Sequence, residues 1–352
     1  MAGGITIALD AMGGDLGCAA VVGGASIARV RHPDVHYEFH GDRALLEPLL
    51  DADALLKAVS TIHHTDVAVS MSDKPSQALR MGRRVSSMWL AIDAVKQGRA
   101  QAAVSCGNTG ALTVMSRMIL KTMHGIDRPA LAAIWPTMRG ESVVLDVGAN
   151  VVAEQKNLVN FAIMGEAMAR TALGQPHPTV GLLNIGAEEM KGNEDLKGAA
   201  QILRETDLNF DFHGFVEGND ISKGTVDVVV TDGFTGNVAI KTAEGMARLI
   251  GDYLSNAMRR SLASRIGYLL ARGAFKVLRQ RMDPGRSNGG VFLGLNGIVV
   301  KSHGSANESS VAAALGLAID MAQNDIINKI AADLAVLHGP EAQADTKTPE
   351  PA

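Results

Sequence analysis

Short runs of β-branched and apolar residues alternate along the chain with stretches whose apolar positions recur every three or four residues. Ile5-Thr6-Ile7-Ala8-Leu9 reads as a first strand, and the small-residue segment 16–30 as the helix that follows it. Further strands are predicted at 35–40, 59–63, 102–105, 130–135, 142–146, 179–183, 210–215 and 226–231. Helices fall between them at 43–50, 75–98, from 111 onward, at 157–173 and at 194–205, with Pro75 suited to a first helical turn. Asp232-Gly233 then turns into a stretch with Val238, Ile240, Ala243, Met246, Ala247 and Ile250 at helical spacing. A polar loop is predicted at 216–220 and a turn at Asp283-Pro284-Gly285, after which short strands at 289–294 and 298–301 and a last helix over 308–334 complete the pattern. Strand alternating with helix predicts an α/β fold of three layers, α/β/α, around a mixed, largely parallel sheet.

Composition narrows the class. The chain has 352 residues, 47% hydrophobic and 20% charged, enough to bury a large core. A net charge of −4 gives no global attraction to nucleic acid or to an anionic membrane, so any basic site has to be local. Cys18 and Cys106 provide neither a disulfide framework nor metal-ligand spacing. No secretory signal and no run of about eighteen apolar residues is seen, so a soluble protein of a reducing compartment is expected. Residues 1–338 are expected to form one catalytic unit with a basic amphipathic helical insertion at about 248–282, and 339–352 a disordered tail.

Polar turns carry the candidate chemistry. Six of them, around Asp10, Asn108, Asn150, Asn184, Asp232 and His303, fall where strand ends are expected to converge. They are rich in glycine, amide and hydroxyl groups and poor in clustered carboxylates, which disfavours a metal site. No Gly-x-Ser-x-Gly elbow or Walker-type loop occurs, and the first strand lacks a dinucleotide fingerprint. Binding an anion through amides fits the pattern best. Cys106 reads either as a nucleophile or as a small buried side chain; His303 either as a proton donor or as a structural residue. Lys74, Lys191 and Lys241 each lie in or just after a polar turn, and one of them is expected to meet an anion. The asparagines also suit left-handed turns, and Asp10, Asp15 and Asp232 also suit helix caps.

Residues 253–282 hold seven basic side chains (Arg259, Arg260, Arg265, Arg272, Lys276, Arg279 and Arg281) and no acid. Leu262, Ile266, Leu269 and Leu270 fall on one side of a helical projection, with Arg265, Arg272 and Lys276 along its flank. This segment is either a core-packed helix pair with solvated charges or a helical arm lying on anionic lipid.

With these turns assembled, the sequence resembles the PlsX family, the acyl-acyl-carrier-protein:phosphate acyltransferases of bacterial phospholipid synthesis. The resemblance rests on Asp10-Ala11-Met12-Gly13-Gly14-Asp15, Ser105-Cys106-Gly107-Asn108-Thr109-Gly110-Ala111-Leu112 and Asp146-Val147-Gly148-Ala149-Asn150. The segments 184–192 and 230–245 and His303-Gly304-Ser305 complete it, over about residues 5–330. Cys106 departs from an expected alanine, Ala306 from a frequent serine, and Gly290-Val291-Phe292 from Ala-Pro-Leu. An alanine at position 106 in the family speaks against a covalent cysteine mechanism.

The resemblance implies transfer of a long-chain acyl group from acyl-carrier protein to inorganic phosphate, without cofactor or metal. It further implies a fold similar to isocitrate/isopropylmalate dehydrogenases and phosphotransacetylases, and a homodimer. The protein would be cytoplasmic, peripherally attached to the inner face of the cell membrane, supplying a PlsY-type membrane glycerol-3-phosphate acyltransferase. Phosphate is then expected at Gly13, Gly14, Asn108, Thr109, Gly110, Asn150, Gly233, Thr235, Gly236 and Asn237, and catalysis at Lys191, His303 and Asp232. Arg80, Arg83 and Arg84, placed on one helix, and the basic segment are expected to meet the acidic carrier protein or the membrane. A short-chain phosphotransacetylase using coenzyme A, a metal- and NAD-dependent dehydrogenase and a non-catalytic membrane adaptor are the competing readings.

Overall fold

The strands of the computed structural model join in a single eleven-stranded sheet, and the structure describes residues 4–206, 208–281 and 289–338. β1 (Thr6–Asp10) leads to α1 (Gly17–Arg31), β2 (His36–Gly41) to α2 (Arg43–Asp51) and α3 (Ala54–Lys57), and β3 (Ser60–His64) to α4 (Pro75–Gly82) and α5 (Ser87–Lys96). β4 (Ala102–Ser105) and α6 (Thr109–Leu120) precede a hairpin of β5 (Ala130–Thr137) and β6 (Gly140–Leu145). Then come α7 (Gln155–Met168), a π turn over Ala169–Leu173, β7 (Thr179–Leu183), α8 (Glu194–Glu205), β8 (Asp211–Val216), α9 (Gly218–Lys223) and β9 (Val228–Val230). α10 (Gly233–Arg259) runs into the basic segment, which continues through α11 (Leu262–Leu270) and α12 (Arg272–Arg281). β10 (Gly290–Leu293), β11 (Ile298–Lys301), α13 (Glu308–Gln323) and α14 (Ile326–His338) finish the described chain. The predicted turn at Asp283-Pro284-Gly285, the boundary at residue 282 and the tail at 339–352 lie outside the described residues.

The sheet order is β3-β2-β1-β4-β11-β10-β5-β6-β9-β7-β8. Alternate strand residues serve opposite faces: Ile7, Leu9, Leu145 and Val230 pack into one core, and Ala8, Ala103, Val144 and Val229 into the other. With both faces covered, central strands such as β1, β4, β9 and β11 read as near-continuous apolar runs, which is why they stand out in the sequence.

Strand direction changes partway. β1 to β4 and β11 run parallel. β10 runs antiparallel to β11, β5 to β10 and β6 to β5. β9, β7 and β8 follow the direction of β6. The six polar turns therefore do not meet at one edge. Those after β1, β4 and β11 lie at one end of the sheet, and those after β6, β7 and β9 at the other.

Three predicted elements are corrected. The helix drawn from 75 to 98 is two helices: Arg84 has a left-handed φ of 65°, and the Ser86 side chain accepts from Trp89 N to start α5. Arg80 therefore lies on α4, Arg83 at its end and Arg84 in the break, not on one helix. The helix over 308–334 likewise divides at Asn324-Asp325, where Asp325 has a φ of 53°. The loop predicted at 216–220 runs into the short helix α9.

Candidate active site

α10 bridges the two ends of the sheet. It starts at Gly233 beside the turn after β6, and eleven residues later Glu244 reaches the turn after β11, about 16 Å away at 1.5 Å per residue. Under it, a cleft of about 1420 Å³ runs over β5 and the β5–β6 hairpin toward the start of α6. One wall is apolar, with Val114, Leu131, Trp135, Val147, Ile240, Ala243 and Ala247. Ile240, Ala243 and Ala247 recur at helical spacing, so one face of α10 lines it. Thr109, Gly110, Asn237, Lys241, Glu244, Lys301, Ser302 and His303 make the lining polar elsewhere, with two lysines against one carboxylate. A smaller hollow of about 320 Å³ adjoins it and shares Gly148, Asn237 and Lys241.

His303 and the first half of α10 are tied by charge. Glu244 accepts from His303 Nε2 at 3.1 Å and from Lys241 Nζ at 2.9 Å. Burial alone would raise the Glu244 carboxyl; Lys241 and His303 more than offset that and hold it below its usual range. Burial, reinforced by the Lys241 charge, lowers His303, so the imidazole is neutral near pH 7.

The turns after β1, β4 and β11 are locked together. Asp10 is buried and accepts from Ser87 Oγ and Ser105 Oγ, both at 2.6 Å; burial still raises its carboxyl above the usual value. Gly107 N donates to Ser105 Oγ at 3.0 Å, and Asp15 N to Gly304 O at 2.8 Å. A side chain at Gly13 would stand 2.6 Å from Asp10 Oδ2 and 2.7 Å from Gly107 N. Cys106 is buried behind this layer, its thiol pushed up to about 11 by burial, and it does not line the cleft.

The turns after β6 and β9 form a second lock. The buried Asp146 carboxylate accepts from the amides of Leu131, Gly148, Ala149 and Asn150 and from Asn150 Nδ2. Gly233 N donates to Asn150 O at 2.7 Å, Thr235 N to Asp232 Oδ1 at 2.8 Å and Gly236 N to Asp232 O at 2.9 Å. The amides expected to hold phosphate at the start of α10 are thus already satisfied within the fold. Gly236 is glycine for space, since a Cβ there would lie 1.9 Å from Asp146 O.

The sequence-derived residues separate accordingly. Thr109, Gly110, Asn237 and His303 line the main cleft, and Asn150 and Gly233 the smaller hollow. Asn108 caps α6 and holds the carbonyls of Met71 and Asp73; Asp232, with Thr235, caps α10. Gly13, Gly14, Gly236 and the exposed Lys191 line neither space. Of the three lysines singled out, Lys241 is the one in the cleft. Glu244 and Lys301 were not anticipated. A lysine closing the apolar run Ile298-Val299-Val300 is the signal that marks the second; a glutamate on an amphipathic helix gives none.

Comparison with known proteins places the chain in a family and the fold among known ones. A family model described as fatty acid synthesis protein matches residues 5–329. A phosphate acyltransferase of Parvibaculum lavamentivorans is 62% identical over 339 residues, covering 96% of this chain and 94% of its own. Another from Xanthobacter autotrophicus is 59% identical over 340 residues, covering 97% and 96%. Among solved structures, a phosphotransacetylase from Streptococcus pyogenes superposes with a TM-score of 0.60 at 17% identity, covering 91% of this chain and 94% of its own. The 4-hydroxythreonine-4-phosphate dehydrogenase of Klebsiella pneumoniae gives 0.50 at 13% identity, covering 92% and 99%. These likenesses fix the fold as dehydrogenase-like α/β.

Proposed function

The chain belongs to the fatty acid synthesis protein family, and from that premise we propose that it transfers a long-chain acyl group from acyl-carrier protein to inorganic phosphate. Acyl transfer to phosphate for phospholipid synthesis makes it an acyltransferase; the carrier-protein donor and the long chain are our reading. One observation carries it: a single cleft joins an apolar wall, fit for an acyl chain, to a polar lining with two lysines, fit for phosphate.

The chemistry balances without a covalent intermediate. An unprotonated oxygen of hydrogen phosphate attacks the thioester carbonyl, the C–S bond breaks, and its electron pair leaves on sulfur. The remaining phosphate proton passes to that sulfur, giving acyl phosphate and a thiol. A thiol of pKa about 8.5 leaves readily, so positioning and charge supply most of what is needed. His303, oriented by Glu244 and neutral, relays the proton. Lys241, Asn237 and the start of α6 at Thr109 and Gly110 surround the phosphate.

The exposed Arg80, Arg83 and Arg84, close to the cleft residue Pro75, suit an acidic carrier protein. α11 exposes Leu262, Ile266, Leu269 and Leu270 beside Arg265, with Arg272 and Lys276 following on α12, a composition that suits an anionic membrane surface. There the product would pass to a PlsY-type glycerol-3-phosphate acyltransferase. Exposed Met246, Leu249 and Ile250 on α10 offer a face for a second copy in a homodimer.

The fold likeness to phosphotransacetylases favours one alternative, short-chain transfer using coenzyme A. The two separate in one assay: phosphate-dependent loss of thioester from acyl-carrier protein and from acyl-coenzyme A, across chain lengths. Long-chain acyl-carrier protein is expected to turn over fastest; preference for acetyl-coenzyme A sinks the long-chain reading. For a dehydrogenase, the donor set is wanting: among the described residues no three His, Cys, Asp or Glu side chains gather to hold a metal ion.

A further inference from the structure

Lys301 ends β11 and is 8% exposed. In the register of the sheet, Lys301 stands beside Ser105 of β4, and Ser105 beside Asp10 of β1, so the three form one row across adjacent strand ends. Asp10 accepts from Ser87 and Ser105 and forms no ion pair with the ammonium within 4.0 Å, although its charge acts on Lys301 through space. Lys301 Nζ donates to the carbonyl of Ser302, and among the described residues no carboxylate lies within 4.0 Å of it. The same side chain lines the cleft, in company with Lys241 and His303. Glu244 is the carboxylate of this group, and it is engaged by Lys241 and His303.

A buried ammonium without an ion-pair partner is costly, and a fold that keeps one in a ligand cleft has an anion to meet it there. We propose that Lys301 anchors the inorganic phosphate nucleophile from beneath, holding it against the thioester while Lys241 closes over it. This assignment rests on reading the cleft as a phosphate acyltransferase site. The thioester and the acyl chain carry no charge, so their binding does not need this ammonium. Burial, reinforced by the Lys241 charge and opposed by Cys106, Asp10 and Asp15, pushes Lys301 down to about 8, so its charge, and with it phosphate affinity, declines as pH passes that value.

Lys301→Met and Lys301→Gln, of similar length and neutral, test the assignment. Inorganic phosphate alone should raise the Tm of the wild type and leave both variants unmoved. The KM for phosphate should rise about 10- to 100-fold, as for loss of a charged hydrogen bond, with the KM for acyl-carrier protein unchanged. In phosphate-free buffer Lys301→Met should melt no lower than wild type, because it removes an unpaired buried charge. Variants that phosphate still stabilises, a rise confined to the acyl-carrier KM, or a variant that fails to fold would each overturn the assignment. A wild type that phosphate stabilises but that does not consume acyl thioester would instead count against the acyltransferase reading alone.

Discussion

Glu244 Oε1 lies 3.1 Å from His303 Nε2, joining the helix that begins at one end of the sheet to the turn at the other. With the carboxylate charged and the imidazole neutral, His303 is set to relay a proton at neutral pH. His303→Ala should lower kcat by about 10²-fold, the scale of general acid–base catalysis. At saturating phosphate the acid limb of kcat should lie below the ordinary imidazole range of about 6.5, because the folded pKa is lowered. Glu244→Gln should move that limb to still lower pH, since the charge that favours imidazolium is gone. Stability follows the same sign. The unfolded chain takes up this proton first, so acidification through about pH 6.5 destabilises the fold. A limb that shifts upward in Glu244→Gln contradicts the pairing.

The apolar wall sets chain length. Ala243 faces the cleft from α10 between Ile240 and Ala247. Ala243→Phe should fill the trough and lower kcat/KM for long-chain substrates by about tenfold or more, the scale of a few methylenes in an apolar pocket. Short-chain thioesters should be affected far less. Equal losses across chain lengths would place the acyl chain elsewhere.

Two glycines of α10 should behave oppositely. Gly236→Ala puts a methyl 1.9 Å from Asp146 O and should cost about 3 kcal/mol, at the upper end of overpacking. Gly245 meets nothing within 4 Å, so Gly245→Ala should stabilise by roughly 0.5–1 kcal/mol. Denaturant melts of the two variants read this directly.

Leu269 and Leu270 are 67% and 83% exposed on α11. Replacing both with Glu should release the protein from anionic vesicles in a flotation assay while solution turnover stays within about twofold, because neither residue touches the cleft. Unchanged vesicle binding returns the arm to a solvated helix pair.

Much of the fold was legible because apolar strands buried on both faces contrast strongly with glycine-rich turns. Strand direction was not, since periodicity carries no polarity, and so the turns were grouped wrongly. The helix breaks are weakly marked: Gly82 closes α4 just before Arg84 but also fits a helix interior, and no glycine or proline stands at Asn324-Asp325. Gly233 and Gly236 were read as a phosphate cradle, whereas they let two turns pack against Asn150 and Asp146. His303, Asn237 and Thr109, signalled by their polar turns, line the cleft. Glu244 emerges only when α10 meets the turn after β11, whereas Lys301 carried a signal as the lysine closing an apolar run.

Direct attack by phosphate is tested most simply by thiol release in a single turnover. Enzyme in excess is mixed with long-chain acyl-carrier protein in phosphate-free buffer, and phosphate is added afterwards. No free carrier thiol is expected before phosphate and one equivalent after it, with acyl phosphate formed in step and Cys106→Ala behaving as wild type. A burst of thiol before phosphate, with acyl group retained on the protein, would contradict the mechanism.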